Sequence, residues 1–408
     1  MTEYQPFSSL GWLDFDDAAR QKVAELLAAL QEPGTLDVLG LATIRDAFSD
    51  MLHPGISTLH TRLRYFLFLP WIFQRLERGR VSANEFSRKL REYESRLIEC
   101  LRHQDTGAGV IGYAAGNRLK TMPSQLYWGG LGAWGLRRYS LSIAEYGRQA
   151  GWLTQGHGTK DDDGQPTVGV ERMWLSLPGP PEGFLETDIT FQLTSEEGQV
   201  LVDSVQRHQP RSLLAALFRQ PTLAGEQLFP WDIPQETLPE AVTEMLRHAR
   251  CFSEVTAGPQ YVYNVLVARR AKQKLGWDTD SVEESQLAQL SKWIGLVHER
   301  HEELASWAND LPSLWSFLHG NRIPSSTRRF ITTIARAVVD DPARIQSDGD
   351  IHREIRFREM QLKGKRARLG HLGALENWNR AAVGGQLGYR WSIVRGYLKD
   401  LVKASEAH

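Results

Sequence analysis

Asp46, Asp50, His53, Arg62, Arg64 and Tyr65 all fall in one stretch, IRDAFSDMLHPGISTLHTRLRYFLFLPW at 44–71, beside Phe48, Leu63, Phe66, Leu67, Phe68 and Trp71. Unpaired charge is costly next to so much apolar surface, so these groups either pair with one another or line a cleft. If Ile44–Leu52 is helical, Asp46 and Asp50 share a face, and their repulsion raises one pKa or recruits a cation. A carboxylate so placed can stabilise positive charge on a sugar or activate water. Asp50 is the preferred catalytic candidate because His53-Pro54-Gly55 breaks the helix beside it, and Asp46 and His53 complete the set. Ser57 or Thr58 is expected to cap a second helix that displays His60 and Arg64 together. Arg62 and Arg64 would grip phosphates, and Tyr65 would stack on a base.

A second stretch carries glycines at 107, 109, 112 and 116 ahead of Asn117, Arg118 and Lys120. Backbone amides of such a loop, with two cations nearby, suit a phosphate. No G-x-x-x-x-G-K-[ST] is present, so ATP binding is unsupported. PSQLYWGGLGAWG follows and predicts a helix packed closely through Gly129, Gly130, Gly132 and Gly135. On it, Ser124 and Gln125, with Asn117 before it, are hydrogen-bonding candidates for a polar base, and Tyr127 and Trp128 are stacking candidates.

A third stretch, IHREIRFREMQLKGKRARLG at 351–370, sets Arg353, Arg356, Arg358, Lys363, Lys365, Arg366 and Arg368 against Glu354 and Glu359. In a chain of net charge −1, this local excess is what a phosphate-binding face requires. Trp378, Arg380, Tyr389, Arg390 and Trp391 continue it with aromatics among cations. Glu359 and Lys363 read as an i,i+4 salt bridge rather than a nuclease pair. His298 and His301 lack a third ligand, so exposed helix residues are favoured over a metal site, and no metal or other cofactor is called for.

These groups must be held by helices, because period-3.6 stripes dominate and alternating strands are few. Helices are predicted at Asp14–Leu30, Ser82–Leu101 and Ser212–Phe218, after a Thr194 or Ser195 cap, and across 238–308, with a small hairpin near 168–192. The expected fold is mainly α, multi-helical, in two or three packed subdomains with at most a small β element. The expected divisions are 1–153, 154–192, 193–345 and 346–408. A chain of 408 residues with 41% hydrophobic and 24% charged content is ordinary for a globular protein. Two distant cysteines, no apolar run of membrane length and no signal-peptide pattern point to the cytoplasm and away from a membrane. Oligomeric state is not readable.

SSLGWLDF at 8–15, the 44–71 stretch, PSQLYW at 123–128 and ARL…LENW…YRW at 367–391 together resemble an uncharacterised bacterial family over nearly the full length. The chain is also similar to bacterial antiphage DNA glycosylases that excise glucosylated hydroxymethylcytosine. That resemblance implies a defence enzyme acting on modified viral DNA. The site residues above come from the chain's own pattern, not from the resemblance. Pro54-Gly55 matches the turn of a helix–hairpin–helix, but its second glycine and a following catalytic aspartate are missing. The rival expectation is a non-catalytic DNA-binding subunit of a defence operon, with the Asp/Arg cluster as a structural ion-pair network. A nuclease is the weaker alternative.

Overall fold

His53-Pro54-Gly55 does end a helix, and the turn it makes is fixed by packing. Gly55 adopts φ +77°, and a Cβ there would meet Ala133 and the Trp134 indole at 2.9 Å. Glycine is therefore required both by conformation and by space. The computed structural model describes residues 37–102, 108–155 and 173–406. The helix expected at Asp14–Leu30, the 8–15 motif, Gly107, the Asn117 side chain and most of the 154–165 loop lie outside the described residues.

The described residues form α-helices at Ala42–Leu52 (α1), Tyr65–Arg78 (α2), Ala83–Arg102 (α3), Pro123–Ala133 (α4), Ile143–Gln155 (α5), Ser195–His208 (α6), Leu213–Arg219 (α7) and Glu240–Leu275 (α8). Then follow Asp280–Glu299 (α9), His301–Asn309 (α10), Leu311–Phe317 (α11), Ser325–Asp340 (α12), Gly349–Lys363 (α13), Leu372–Glu376 (α14) and Trp391–Glu406 (α15). The fold is mainly α. Among the described residues the β content is one isolated antiparallel bridge, Arg137 to Trp174, and 173–192 is otherwise turns and extended chain. No helix among them is long and apolar enough to cross a membrane.

Two compact units are present. One holds 37–48 with Glu244–Gly388, the other Ser49–Thr243 with 389–406. The second unit is built on α2, which is buried from Tyr65 through Phe73 and again at Leu76. A helix apolar all round belongs at the centre of a core. Phe66 stacks on Trp134 at 3.8 Å, and Phe73 sits 5.1 Å from both Trp128 and Tyr146. Close approach occurs at Gly130, where a Cβ would lie 2.5 Å from the Gly55 carbonyl and 2.9 Å from Phe66; Gly129 faces open space.

The first unit is organised by α8, whose buried Ser253, Gln260 and Asn264 are bonded to an irregular strap at 383–387. Asn264 donates to the Val383 carbonyl at 2.8 Å and accepts its amide at 3.1 Å, while Ser253 accepts the Leu387 amide at 2.7 Å. These bonds let a loop lie against a buried helix without orphaned groups. Helical order across 238–308 is as expected but broken, by Gly276 at φ +65° and by Arg300 between α9 and α10. The α6 cap is Thr194, whose hydroxyl accepts the Glu197 amide while Glu197 accepts the Thr194 amide, and Ser212 caps α7.

Candidate functional site

Asp50 lies near the end of α1 with its side chain 66% exposed, and its partner is Arg390, at 2.6 Å. The expected partners, Arg62 and Arg64, are engaged elsewhere. Arg390 also donates to the Ile56 carbonyl at 2.5 Å, so its guanidinium joins the helix end to the turn after His53. Arg390 and Tyr389 both adopt left-handed backbone, φ +66° and +51°. Two successive non-glycine residues in that region carry strain that the surroundings must hold in place. His53 supplies part of that hold. It is fully buried, and its Nδ1–H donates to the Tyr389 carbonyl at 2.7 Å, leaving Nε2 without a hydrogen-bond partner among the described residues. Burial pushes its pKa down to about 3, so the ring is neutral at physiological pH. His53 is thus a positioning group rather than an accessible acid or base. Asp46, one turn earlier and half exposed, is held by Arg45 at 2.9 Å.

The expected second helix with His60 and Arg64 on one face does not form. Residues 57–63 form no helix, only irregular chain with turns at 58–59 and 63, and Ser57 accepts the Leu59 amide instead of capping a helix. His60 is buried, stacks on Tyr127 at 3.9 Å and donates Nε2–H to the Leu126 carbonyl; burial lowers its pKa to about 4. Arg64 is buried and pairs with Glu197 at 2.6 Å, with a further bond to the Thr190 carbonyl. Arg62 makes a bidentate pair with Asp400, whose other oxygen accepts the Leu63 amide. Neither arginine is available to grip phosphate in this arrangement. Both neutralise acids from distant helices.

The stacking candidates, with Ser124 and Gln125 of the base-reading set, are likewise bonded within the chain. Tyr65 and Tyr127 are fully buried: Tyr65 accepts the Ile111 amide, and Tyr127 accepts the Thr61 amide and donates to the Arg62 carbonyl. Burial pushes Tyr127 up to about 12. Trp128 donates to the Leu141 carbonyl and carries the Arg137 guanidinium 4.6 Å from its ring centre. Ser124 is buried, with its amide bonded to Glu94, and Gln125 is exposed but caps the Met122 amide. Glu94 is a site that the sequence reading missed. Its carboxyl is buried and pushed up to about 7 by desolvation, against the opposing pull of the Ser124 amide.

In the glycine loop, Gly109, Gly112 and Gly116 all have positive φ, and the stem of Arg62 lies against Gly109. These glycines serve turns and close packing, and the Ile111 amide is already bonded. Arg118 and Lys120 at the loop's end are exposed.

In the first unit, the expected Glu359–Lys363 pair is replaced by another arrangement. Glu359 is buried and accepts the Tyr263 hydroxyl and the amides of Arg368 and Leu369, folding the chain after α13 back onto the helix. Arg358 is also buried, bonded to the Leu39 carbonyl and the Thr327 hydroxyl. Lys363 is part-buried, which lowers its pKa, and Arg368 is half-buried. Arg353, Arg356, Lys365 and Arg366 remain on the surface. Among the described residues no group of three His, Cys, Asp or Glu side chains converges as a metal cage.

One family pattern covers residues 7–405. The chain belongs to this family of unknown function (DUF6361). No curated protein and no solved structure matches the chain. All four stretches that carried the bacterial-family resemblance lie inside the family's span. Of the residues that complete the site, Arg390 and Tyr389 stood out in sequence as cations among aromatics, though as DNA contacts. Asp400 had one signal, an acid set among the buried Tyr397, Leu398 and Leu401 on one helix. Glu197 had the capping-box position, which does not announce a second bond to Arg64.

Proposed function

We propose that this family member is a DNA glycosylase of antiphage defence, excising a modified cytosine such as glucosylated hydroxymethylcytosine. The observation that supports this reading is Asp50, a solvent-open carboxylate fixed by Arg390 at a strained, over-determined turn. Cleavage breaks the bond between C1′ and the base nitrogen, and the electron pair leaves with the base. Positive charge then develops on the sugar, where Asp50 would stabilise it or take a proton from the water that bonds to C1′. His53 would position Asp50 indirectly, by holding the Tyr389 carbonyl beside Arg390. Exposed Arg118 and Lys120 of the same unit suit phosphates, and a bulky sugar on the base suits an open surface better than a closed slot.

The second reading is a DNA-binding subunit without catalysis, favoured by the Asp50–Arg390 contact itself, which as an ion pair needs no reaction to explain it. One experiment separates them. Protein is incubated with plain, hydroxymethylated and glucosylated DNA, with and without EDTA, and then treated with alkali. Alkali-dependent breaks confined to one modification support base excision. Intact but retarded DNA supports the binder, and direct EDTA-sensitive breaks support a nuclease.

A further inference from the structure

Most of the exposed large hydrophobic side chains among the described residues gather at 357–372: Phe357 at 54% exposure, Met360 at 41%, Leu362 at 42% and Leu372 at 45%. Phe357 and Met360 share the outward face of α13 with Arg353 and Arg356, at spacings of three and four. Buried Glu359 draws the 367–370 segment back onto the helix, and a Cβ at Gly370 would lie 3.0 Å from Met360. Leu372 therefore extends the same apolar strip, and Lys365 and Arg366 flank it. Arg353 is paired with Asp350, but Arg356, Lys365 and Arg366 make no ion pair among the described residues.

We propose that this face binds duplex DNA through the minor groove, with Phe357 inserted as a wedge at a base step and Arg356, Lys365 and Arg366 on flanking phosphates. It rests on the reading that the protein acts on DNA, but not on base excision. The charge pattern selects this occupant. Protein-binding cores are depleted in lysine and charge, whereas Arg356, Lys365 and Arg366 border this narrow strip of Phe357, Met360 and Leu372. A membrane-surface helix needs a wide free apolar face, whereas α13 buries Ile351 and Ile355 in its own unit. A projecting Phe ringed by unpaired cations is instead the arrangement of proteins that unstack and bend DNA from the minor groove.

The test uses the full chain and short duplexes that each carry one 2-aminopurine. Binding of the unaltered protein should raise 2-aminopurine fluorescence at one step or more. Phe357→Ala should abolish that rise and weaken affinity about tenfold, in line with loss of a buried aromatic side chain, while the salt dependence of binding stays the same. Arg356→Ala with Lys365→Ala should show the converse, a flatter salt dependence, each lost phosphate lowering the log–log slope by about 0.9. Because Phe357 is exposed, circular dichroism should show both variants folded, and Phe357→Trp should keep the fluorescence rise. No rise with the unaltered protein, an undiminished rise with Phe357→Ala, or binding to anionic vesicles in place of DNA overturns the proposal. Base release with no response to Phe357→Ala removes the wedge alone. Unstacking without base release leaves the wedge and removes excision.

Discussion

Replacing Asp50 by Asn separates a catalytic carboxylate from a structural one, because the structure sets the two costs far apart. The Asp50 side chain is 66% exposed, and its ion pair with Arg390 lies at the surface. Pairs of that kind contribute about 0.2–1 kcal/mol. Arg390 is not orphaned in the variant, since it retains the Ile56 carbonyl at 2.5 Å. The stability loss should therefore stay below about 1 kcal/mol, a fall in Tm of no more than roughly 4 °C. The 3–5 kcal/mol penalty for stranding a buried charge, expected if Arg62 or Arg64 were the partner, does not apply here. Loss of the charge that stabilises an oxocarbenium ion should lower the rate on the order of 10²-fold or more, about 2.7 kcal/mol of transition-state stabilisation. Tm, DNA affinity and base release are measured on the same Asp50→Asn protein. A folded variant that binds DNA and releases base at an undiminished rate would falsify the catalytic assignment, and Asp46 would be tested next.

Glu197→Ala strands the buried Arg64 guanidinium and should cost about 3–5 kcal/mol in urea unfolding; a loss under about 1 kcal/mol would show that the pair contributes little. Gly130→Ala places a Cβ 2.5 Å from the Gly55 carbonyl and should destabilise by about 1–3 kcal/mol. Gly129→Ala, one residue away in open space, should be neutral or stabilising by up to about 1 kcal/mol. Equal effects from the two would refute the packing argument. Glu94 titrates near 7 in the folded chain against an ordinary 4.5, so the folded state holds the extra proton between those values and stability falls as pH rises through that window. Glu94→Gln should remove this falling limb, raising stability at pH 8 by about 3 kcal/mol and leaving pH 4 little changed. His53 and His60 act in the opposite sense, since their lowered values make stability fall as pH drops below 6.5 toward about 3 and about 4 respectively. The acid limb should therefore survive in the Glu94→Gln protein.

Helices were legible because their signals are local. The cap at Thr194 or Ser195, the helix from Ser212 and the break at His53-Pro54-Gly55 each need only a few neighbouring residues. The 44–71 stretch also showed that charge had to be paired, since apolar residues surround it. What the stretch could not show was with whom. Asp50, Arg62 and Arg64 find Arg390, Asp400 and Glu197 at separations of 340, 338 and 133 residues, which no periodicity encodes. The same distance effect hid the burial of Tyr65, Tyr127 and Ser124, whose residue types suit a binding cleft and a core equally. Among the basic residues of 351–370, spacing did not separate the buried Arg358 from the exposed Arg356.

The second unit is closed by residues 389–406, and 244–388 builds the first unit in between. On a ribosome the chain that contains Asp50, His53 and Arg62 emerges long before Arg390, Tyr389 and Asp400. At roughly 5–20 residues per second, a gap of 340 residues is an interval on the order of 20–60 s. Throughout that interval the strained turn that fixes Asp50 does not exist, and the exposed Asp50, the half-buried Arg62 and the buried His53 wait for their partners. A product cut short before 389 would lack Arg390 and Asp400, the partners of Asp50 and Arg62. On the proposed reading, action on DNA would begin only once residues 389–400 have joined the second unit.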